Sequence, residues 1–389
     1  MSHSVSALAT PALIEWARRK AGLSHDQIAK KLHVTPERVS AWESGTLKPT
    51  VNQLRNFGRI VKRPLAFFYL PEPPHDFDAI RDFRRLAGVE IEPESPELLL
   101  AIRAAHDKRS IALELMEELG EVTETNIPSL NPADDPEHLA SLMRKYLGHD
   151  SSTPESWSSV YDALNFWRDA VEEKGILVLQ FGDVSRVEAR GFSLTDLPLP
   201  VIAINRSELP QARVFSLIHE LIHLALNKGG LCDFVERENN SYEEQRIEVF
   251  CNRVAGAVLV PLADLLSDKN LVGHRRGQPL EDIKINNLAR LFRVSREVIL
   301  RRLLISNQIT QQFYEIKRSE YESAKFIPHP GFAPPHALAL SSAGPTFTRL
   351  VLRSYKEHRI TATDVAEFLN VRLKHLSLLE SSLNRRTLT

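Results

Sequence analysis

Two cysteines in 389 residues, Cys232 and Cys251, are too few to staple a small scaffold, so neither a disulfide framework nor an oxidising compartment is required. No run of about 18 or more apolar residues occurs, which excludes a membrane-spanning helix. The opening Met1-Ser2-His3-Ser4 lacks the basic start and apolar block of a secretion signal, and the expected compartment is the cytoplasm. Net charge is almost missing, at -1. Apolar residues are not in short supply: 43% hydrophobic and 25% charged residues exclude a disordered chain. At about 100–200 residues per domain, the length predicts two to four domains. No solenoid-type repeat is evident.

The near-zero charge is unevenly spread. Residues 1–75 hold eleven Lys/Arg against five Asp/Glu, a surplus of +6 that leaves -7 for the remainder. A small basic part joined to an acidic body is the electrostatic footprint of nucleic-acid contact.

Hydrophobic spacing gives the organisation. Leu13, Ile14, Ala17 and Ala21 recur at helical spacing up to Gly22. Ser24 caps a second helix carrying Ile28, Ala29 and Leu32, and Thr35 caps a third with Pro36 in its first turn. That third helix carries Val39 and Trp42 and ends near Gly45, a fourth covers 51–61, and 65–70 packs as an apolar tail. Pro71-Glu72-Pro73-Pro74 marks a boundary. Residues 76–148 read as helical and connecting, with 98–119 the clearest helix. A helix over 160–174 ends at Gly175 and precedes strands over 176–181, 187–194 and 201–204. Helices near 208–227 and 241–259 follow, then a small helical unit over 282–304. Pro328, Pro330, Pro334, Pro335 and Pro345 predict a loop or linker, and a helical hairpin over 347–358 and 362–383 closes the chain.

Two constellations carry chemistry. The first is Leu23-Ser24-His25-Asp26-Gln27-Ile28-Ala29, Val34-Thr35, and Val39 through Gly45 to Pro49. Ala29 is small enough for the next helix to cross closely, Val34 and Val39 bury the turn, and Gly45 ends the third helix. Such a helix enters a major groove and offers its first residues to base edges while lysines and arginines meet phosphates. By position the outward residues are His25, Thr35, Glu37, Arg38, Ser40 and Ala41. The segment resembles the helix-turn-helix of the Xre/phage-repressor family over residues 12–70, with the Trp-Glu-x-Gly-x-x-x-Pro ending as its most specific part. DNA is the partner this implies. Members often place glutamines where Pro36 and Glu37 stand here; Glu37 can accept from cytosine but repels phosphate.

The second is His219-Glu220-Leu221-Ile222-His223. Residues four apart share a helical face, so both imidazoles can converge on one ion, and Glu220 lies beside them. With 14 histidines and at most 50 acids, this pattern arises by chance fewer than about 0.07 times in the chain. Val214, Leu217, Ile218, Leu221 and Leu224 would bury the helix. A catalytic zinc needs a third protein ligand and an open position. Glu248, on a following helix with Ile247, Val249, Phe250, Val254 and Val258, is the best candidate, because an acid among such residues is costly unless paired. Glu244 is its rival one turn earlier, and Cys251 one turn later reads either as a ligand or as a small buried filler.

These residues resemble the ImmA/IrrE metallopeptidase family. The match comprises the two-histidine motif, Glu248-x-x-Cys-Asn-x-x-Ala, Leu259-Val260-Pro261, the strand Pro200-Val201-Ile202-Ala203-Ile204-Asn205, and a looser block from Leu288 to Leu303, within about 150–305. The resemblance implies His219, His223 and Glu248 as metal ligands and Glu220 as general base. It implies zinc, with manganese also accepted by such a donor set. Cys251 is a departure, since the family usually has alanine there. Arg190, Tyr242 and Arg253 are unranked candidates for stabilising an oxyanion. The segment 187–194 is a candidate to pair with an extended substrate as an added strand.

The expectation is therefore an α+β, mostly helical protein. Residues 1–75 form a helix-turn-helix domain, 76–156 a helical connector, 157–310 a zincin-like peptidase core with a small sheet, and 311–389 a linker with a helical extension serving dimerisation or regulation. The expected activity is a regulatory metallo-endopeptidase fused to a DNA-binding module, cleaving an Xre-type repressor or partner protein after a stress or nucleic-acid signal. The alternative is a transcriptional regulator whose peptidase-like domain senses a ligand without proteolysis. A homodimer and the absence of a membrane association complete the reading.

Overall fold

The computed structural model describes residues 6–61, 63–73, 95–121, 124–149, 157–227, 241–323 and 333–386. The chain divides into two compact units, Met1–Arg81 with Gly88–His106, and Asp82–Ala87 with Asp107–Thr389. Among the described residues there are seventeen α-helices and three strands, a mostly helical α+β protein.

In the first unit α1 (Pro11–Lys20), α2 (His25–Leu32), α3 (Pro36–Glu43) and α4 (Val51–Ile60) precede a 3-10 turn, Leu65–Tyr69. Ser24 accepts from the Gln27 N–H while Gln27 returns a bond to the Ser24 N–H, a reciprocal cap that starts α2. Thr50 and Gln53 start α4 in the same way. Thr35 was expected to cap α3. It occupies the cap position, but its side chain makes no capping bond. Pro36 removes one N–H that would need a partner and presets φ, so the helix starts without one. Leu13, Ile14, Ala17, Ile28, Val39, Trp42, Leu54, Phe57 and Phe68 close one core around these helices.

The second unit begins within α5 (Pro96–Glu118) and continues with α6 (Pro136–Tyr146), α7 (Val160–Glu172), β1 (Leu177–Phe181), β2 (Gly191–Leu194) and β3 (Val201–Asn205). The sheet order is β1-β3-β2, with β1 parallel and β2 antiparallel to β3. Every strand residue is buried, because helices cover the sheet: α8 (Pro210–Asn227) packs on β2 and β3, and α7 on β1. Next come α9 (Ser241–Leu259), α10 (Leu262–Ser267), α11 (Asp282–Phe292), α12 (Arg296–Ile305) and α13 (Gln311–Ser323). The chain closes with α14 (Pro335–Ala343), α15 (Pro345–Lys356), α16 (Ala362–Phe368) and α17 (Leu376–Arg386).

Three expectations need correction. The strand over 187–194 shortens to Gly191–Leu194, since the N–H groups of Glu188 and Ala189 turn back onto the Ser185 carbonyl. The proline-rich linker is partly helix: Pro335 and Pro345 each open a helix, where proline costs no hydrogen bond. There α14 packs against β1, and the buried Arg168 guanidinium donates to Val178 O at 2.7 Å and Ser341 O at 3.1 Å. Pro328 and Pro330 lie outside the described residues. The closing hairpin is three helices, because the chain turns after α16 through a 3-10 turn, Leu373–His375, into α17.

Candidate metal centre

Helix α8, which carries His219 and His223, is apolar on nearly every side. Val214, Leu217, Ile218, Leu221 and Leu224 are all buried, as a helix lying between a sheet and two other helices requires. His219 is 0% exposed and His223 6%, and both rings turn toward each other and toward α9. It presents Glu248. Its Oε1 lies 3.0 Å from His223 Nε2, its Oε2 lies 3.3 Å from His219 Nε2, and the two imidazole Nε2 atoms are 2.9 Å apart. Ligands placed tetrahedrally at about 2.0–2.1 Å from one zinc are about 3.3 Å from one another, so this donor set has the size of a metal site. Among the described residues it is the one group of His, Cys, Asp and Glu able to hold an ion.

The electrostatics follow from this packing. Burial pushes the Glu248 carboxyl up, but hydrogen bonds from both histidines and their charge outweigh it and hold the carboxyl well below its ordinary range. Burial likewise opposes charge on His223. The neighbouring Cys251 sulfur, the Glu248 carboxylate and the charge of Glu220 reverse that effect, and the ring sits well above its ordinary value. Cys251 is fully buried, burial raises its thiol, and it lies outside the three-residue donor set. Glu244 and Tyr242 stand in the first turn of α9, whose side chains lie outside the described residues.

Glu220 is 1% exposed and lies under strand β2. A Cβ added at Gly191 would stand 3.1 Å from Glu220 Oε1 and 3.1 Å from the Ala203 carbonyl, tighter than ordinary contact, so the glycine lets the carboxylate and the strand approach closely. Gly191 was not anticipated, and nothing in its local sequence signals the contact. Asn205, the last residue of β3, has a further role: its buried amide donates to Val184 O and Ala189 O and fixes the turn leading into β2. Of the oxyanion candidates, Arg190 pairs with Glu208 at 3.4 Å, and Arg253 lines a cavity of about 200 Å³ together with Phe215, Val249, Asn252, Arg301 and Tyr314. Phe215 is stacked on His219 and Val249 adjoins Glu248, which puts this cavity beside the donor set.

In the first unit Thr35, Glu37, Arg38 and Ser40 are exposed along α3, while His25 and Ala41 are half-buried. The Glu37 backbone N–H and the Thr35 hydroxyl hold the Glu37 carboxyl below its ordinary range. His25 Nε2 lies 3.0 Å from Glu43 Oε2, and Arg18 donates to both oxygens of the same carboxylate at 2.6 and 2.9 Å. This knot ties α1, α2 and α3 together.

The comparisons with known proteins agree with both regions. A family described as helix-turn-helix matches residues 14–66, and one described as an IrrE N-terminal-like domain matches residues 171–304. No curated protein matches the chain. A solved structure of a Mycobacterium tuberculosis transcriptional regulator is 17% identical over 43% of this chain, with a TM-score of 0.32. The chain spans 46% of that protein, under half its length. The chain thus joins a helix-turn-helix domain of the Xre kind to an IrrE-like domain of the peptidase class.

Proposed function

We propose that the chain is a regulatory zinc-dependent endopeptidase joined to a DNA reader, acting on an Xre-type repressor or another partner protein when a stress or nucleic-acid signal arrives. The observation that supports it best is the approach of His219, His223 and Glu248 to within hydrogen-bond distance, with Glu220 on the same helix. His219, His223 and Glu248 would hold a divalent ion, zinc or manganese, which when bound would supply Lewis-acid chemistry and lower the pKa of water toward neutral. Glu220 removes a proton from the attacking water as the carbonyl carbon gains its new C–O bond, and returns it to the amine as the C–N bond breaks. An extended substrate adds to the outer edge of β2 by backbone hydrogen bonds, directly above Glu220. The cavity beside Phe215 and Val249 takes an apolar substrate side chain.

At the other end of the chain α3 enters the major groove, with Thr35, Arg38 and Ser40 toward the duplex and Glu37 toward a cytosine. His25 supports the end of α3 through Glu43, and Ala41 leaves room for a base edge. Modules of this kind read DNA as dimers, and the proposal includes a homodimer acting in the cytoplasm.

The test is to incubate the zinc-loaded chain with Xre-type repressors, with and without duplex DNA, and to identify fragments by mass spectrometry. Cleavage is expected from the wild type and not from Glu220→Gln, which keeps its metal. Turnover in that variant would remove Glu220 from the base role. No fragment under any condition, alongside operator binding, would replace the peptidase by a ligand-sensing regulator.

A further inference from the structure

A short pattern occurs three times in this chain. Ile28-Ala29-x-x-Leu32-His33-Val34-Thr35 with Val39 is followed far downstream by Leu288-Ala289-x-x-Phe292-Arg293-Val294-Ser295 with Ile299, and again by Val365-Ala366-x-x-Leu369-Asn370-Val371-Arg372 with Leu376. The backbone repeats with it. His33, Arg293 and Asn370 all take left-handed φ, at 55°, 55° and 48°. In each copy the valine N–H returns to the alanine carbonyl, at 3.0, 3.1 and 3.0 Å. All three are turns between two helices, the geometry that makes the first copy a DNA-reading module.

Burial separates the copies. In the middle one the second helix is structural: Val298, Ile299, Leu300, Arg302 and Leu303 on α12 are buried in the main core. In the third copy only the inner face is buried, through Val365, Leu369, Val371, Leu379 and Leu383. Its outer face starts with Arg372 and Lys374 exposed and His375 half-buried. These correspond to Thr35, Glu37 and Arg38 of the first copy, so the acid that stands against phosphate in the first reader is replaced by a lysine. Residues 345–386 carry eight Lys/Arg against four Asp/Glu. Three of those acids are engaged within the module: Glu357 with Arg353, Glu380 with Lys356, and Asp364 with the backbone and hydroxyl of Thr361. No carboxylate among the described residues pairs with Arg372 or Lys374.

We propose that α15, α16 and α17 form a second binding module for duplex DNA, in which Arg372, Lys374 and His375 meet the phosphate backbone. Its binding is of low sequence selectivity, because positive charge at the start of the second helix recognises phosphate and not base edges.

The experiment uses the full chain and a fluorescent DNA duplex of mixed sequence, titrated over a range of salt. Each lost phosphate contact lowers the slope of log affinity against log salt by about 0.9, so Arg372→Glu/Lys374→Glu should lower it by about 1.8 and weaken binding at low salt by about tenfold or more. Arg372→Gln/Lys374→Gln should give the same loss of slope without introducing acid, and it decides the matter if the charge reversal disturbs folding, as read by circular dichroism and thermal unfolding. A slope and affinity equal to wild type in the glutamine variant, with Arg38→Glu alone abolishing binding, overturns the proposal. Loss of binding to an RNA duplex but not to DNA overturns it as well.

Discussion

His219, His223 and Glu248 place two bases and one acid within 3.3 Å of one another, and each alters what the others can do. Without a metal, His223 is raised above the ordinary 6.5 and Glu248 is depressed below the ordinary 4.5. A raised histidine contributes stability that is present below 6.5 and lost as pH rises through its folded value. A depressed carboxylate contributes stability present above 4.5 and lost as pH falls. Thermal unfolding of the metal-free chain should therefore show this pair's contribution between pH 4.5 and 6.5, and Glu248→Gln should flatten it. Metal binding runs the other way at its acid limb, because the rings must be neutral to ligate. Dialysis followed by metal analysis should find about one ion per chain near pH 8 and much less near pH 5, with Glu248→Gln low at both.

At the scale of elements, the site depends on how closely β2 and α9 approach α8. Gly191→Val sets a Cβ 3.1 Å from Glu220 Oε1 and from the Ala203 carbonyl, closer than ordinary contact, so the Glu220 carboxylate has to shift to make room. Peptidase turnover should fall by at least about a hundredfold while metal content stays, since an angstrom of misplacement at a catalytic base costs about that much. Should Gly191→Val turn over like the wild type, Glu220 cannot be acting from beneath β2. Helix α9 is held at its far end by two buried arginines: Arg144 donates to Val258 O at 2.7 Å and Arg302 to Val260 O at 2.9 Å. They satisfy carbonyls that a helix end leaves open, and their charge suits its negative pole. Arg302 also holds Glu137 at the start of α6 through both carboxylate oxygens, at 2.5 and 2.7 Å. Because Glu137 is about a third exposed and can rehydrate, Arg302→Ala should cost about 3 kcal/mol, the low end for breaking a buried pair, and lower Tm by about 6–12 °C.

At the scale of the whole molecule, two units have two separate cores. Trp42 is 1% exposed and belongs to the core of the first, and none of His219, His223 and Glu248 lies in that cluster. Trp42→Ala should destabilise the first unit by about 3–5 kcal/mol and abolish operator binding. Metal content and Glu220-dependent cleavage should be unchanged, read by metal analysis and fragment yield on the same preparation. Loss of metal in that variant would show that the two cores do not fold independently.

The pair His219 and His223 was legible because four-residue spacing is a property of any α-helix, and Ser24, Gly45 and the apolar face of α8 follow from similarly local rules. Glu248 was legible only as the best of several acids; its two distances to the histidines come from α8 packing on α9. Gly191 left no trace, because its partner Glu220 comes from a helix that begins well after the strand ends. The helices opened by Pro335 and Pro345 were read as linker, since proline breaks a helix inside but is harmless at its first residue. The turn at Asn370 was missed because it lacks the Ser or Thr that usually opens the second helix. Local spacing and chemistry thus determined which residue types were present and in what helical phase. Tertiary packing alone decided which acid meets the imidazoles, which strand covers Glu220, and which of three like turns keeps its basic face toward water. Those outcomes depend on contacts between segments far apart in the chain, where burial and distance are set by the whole core.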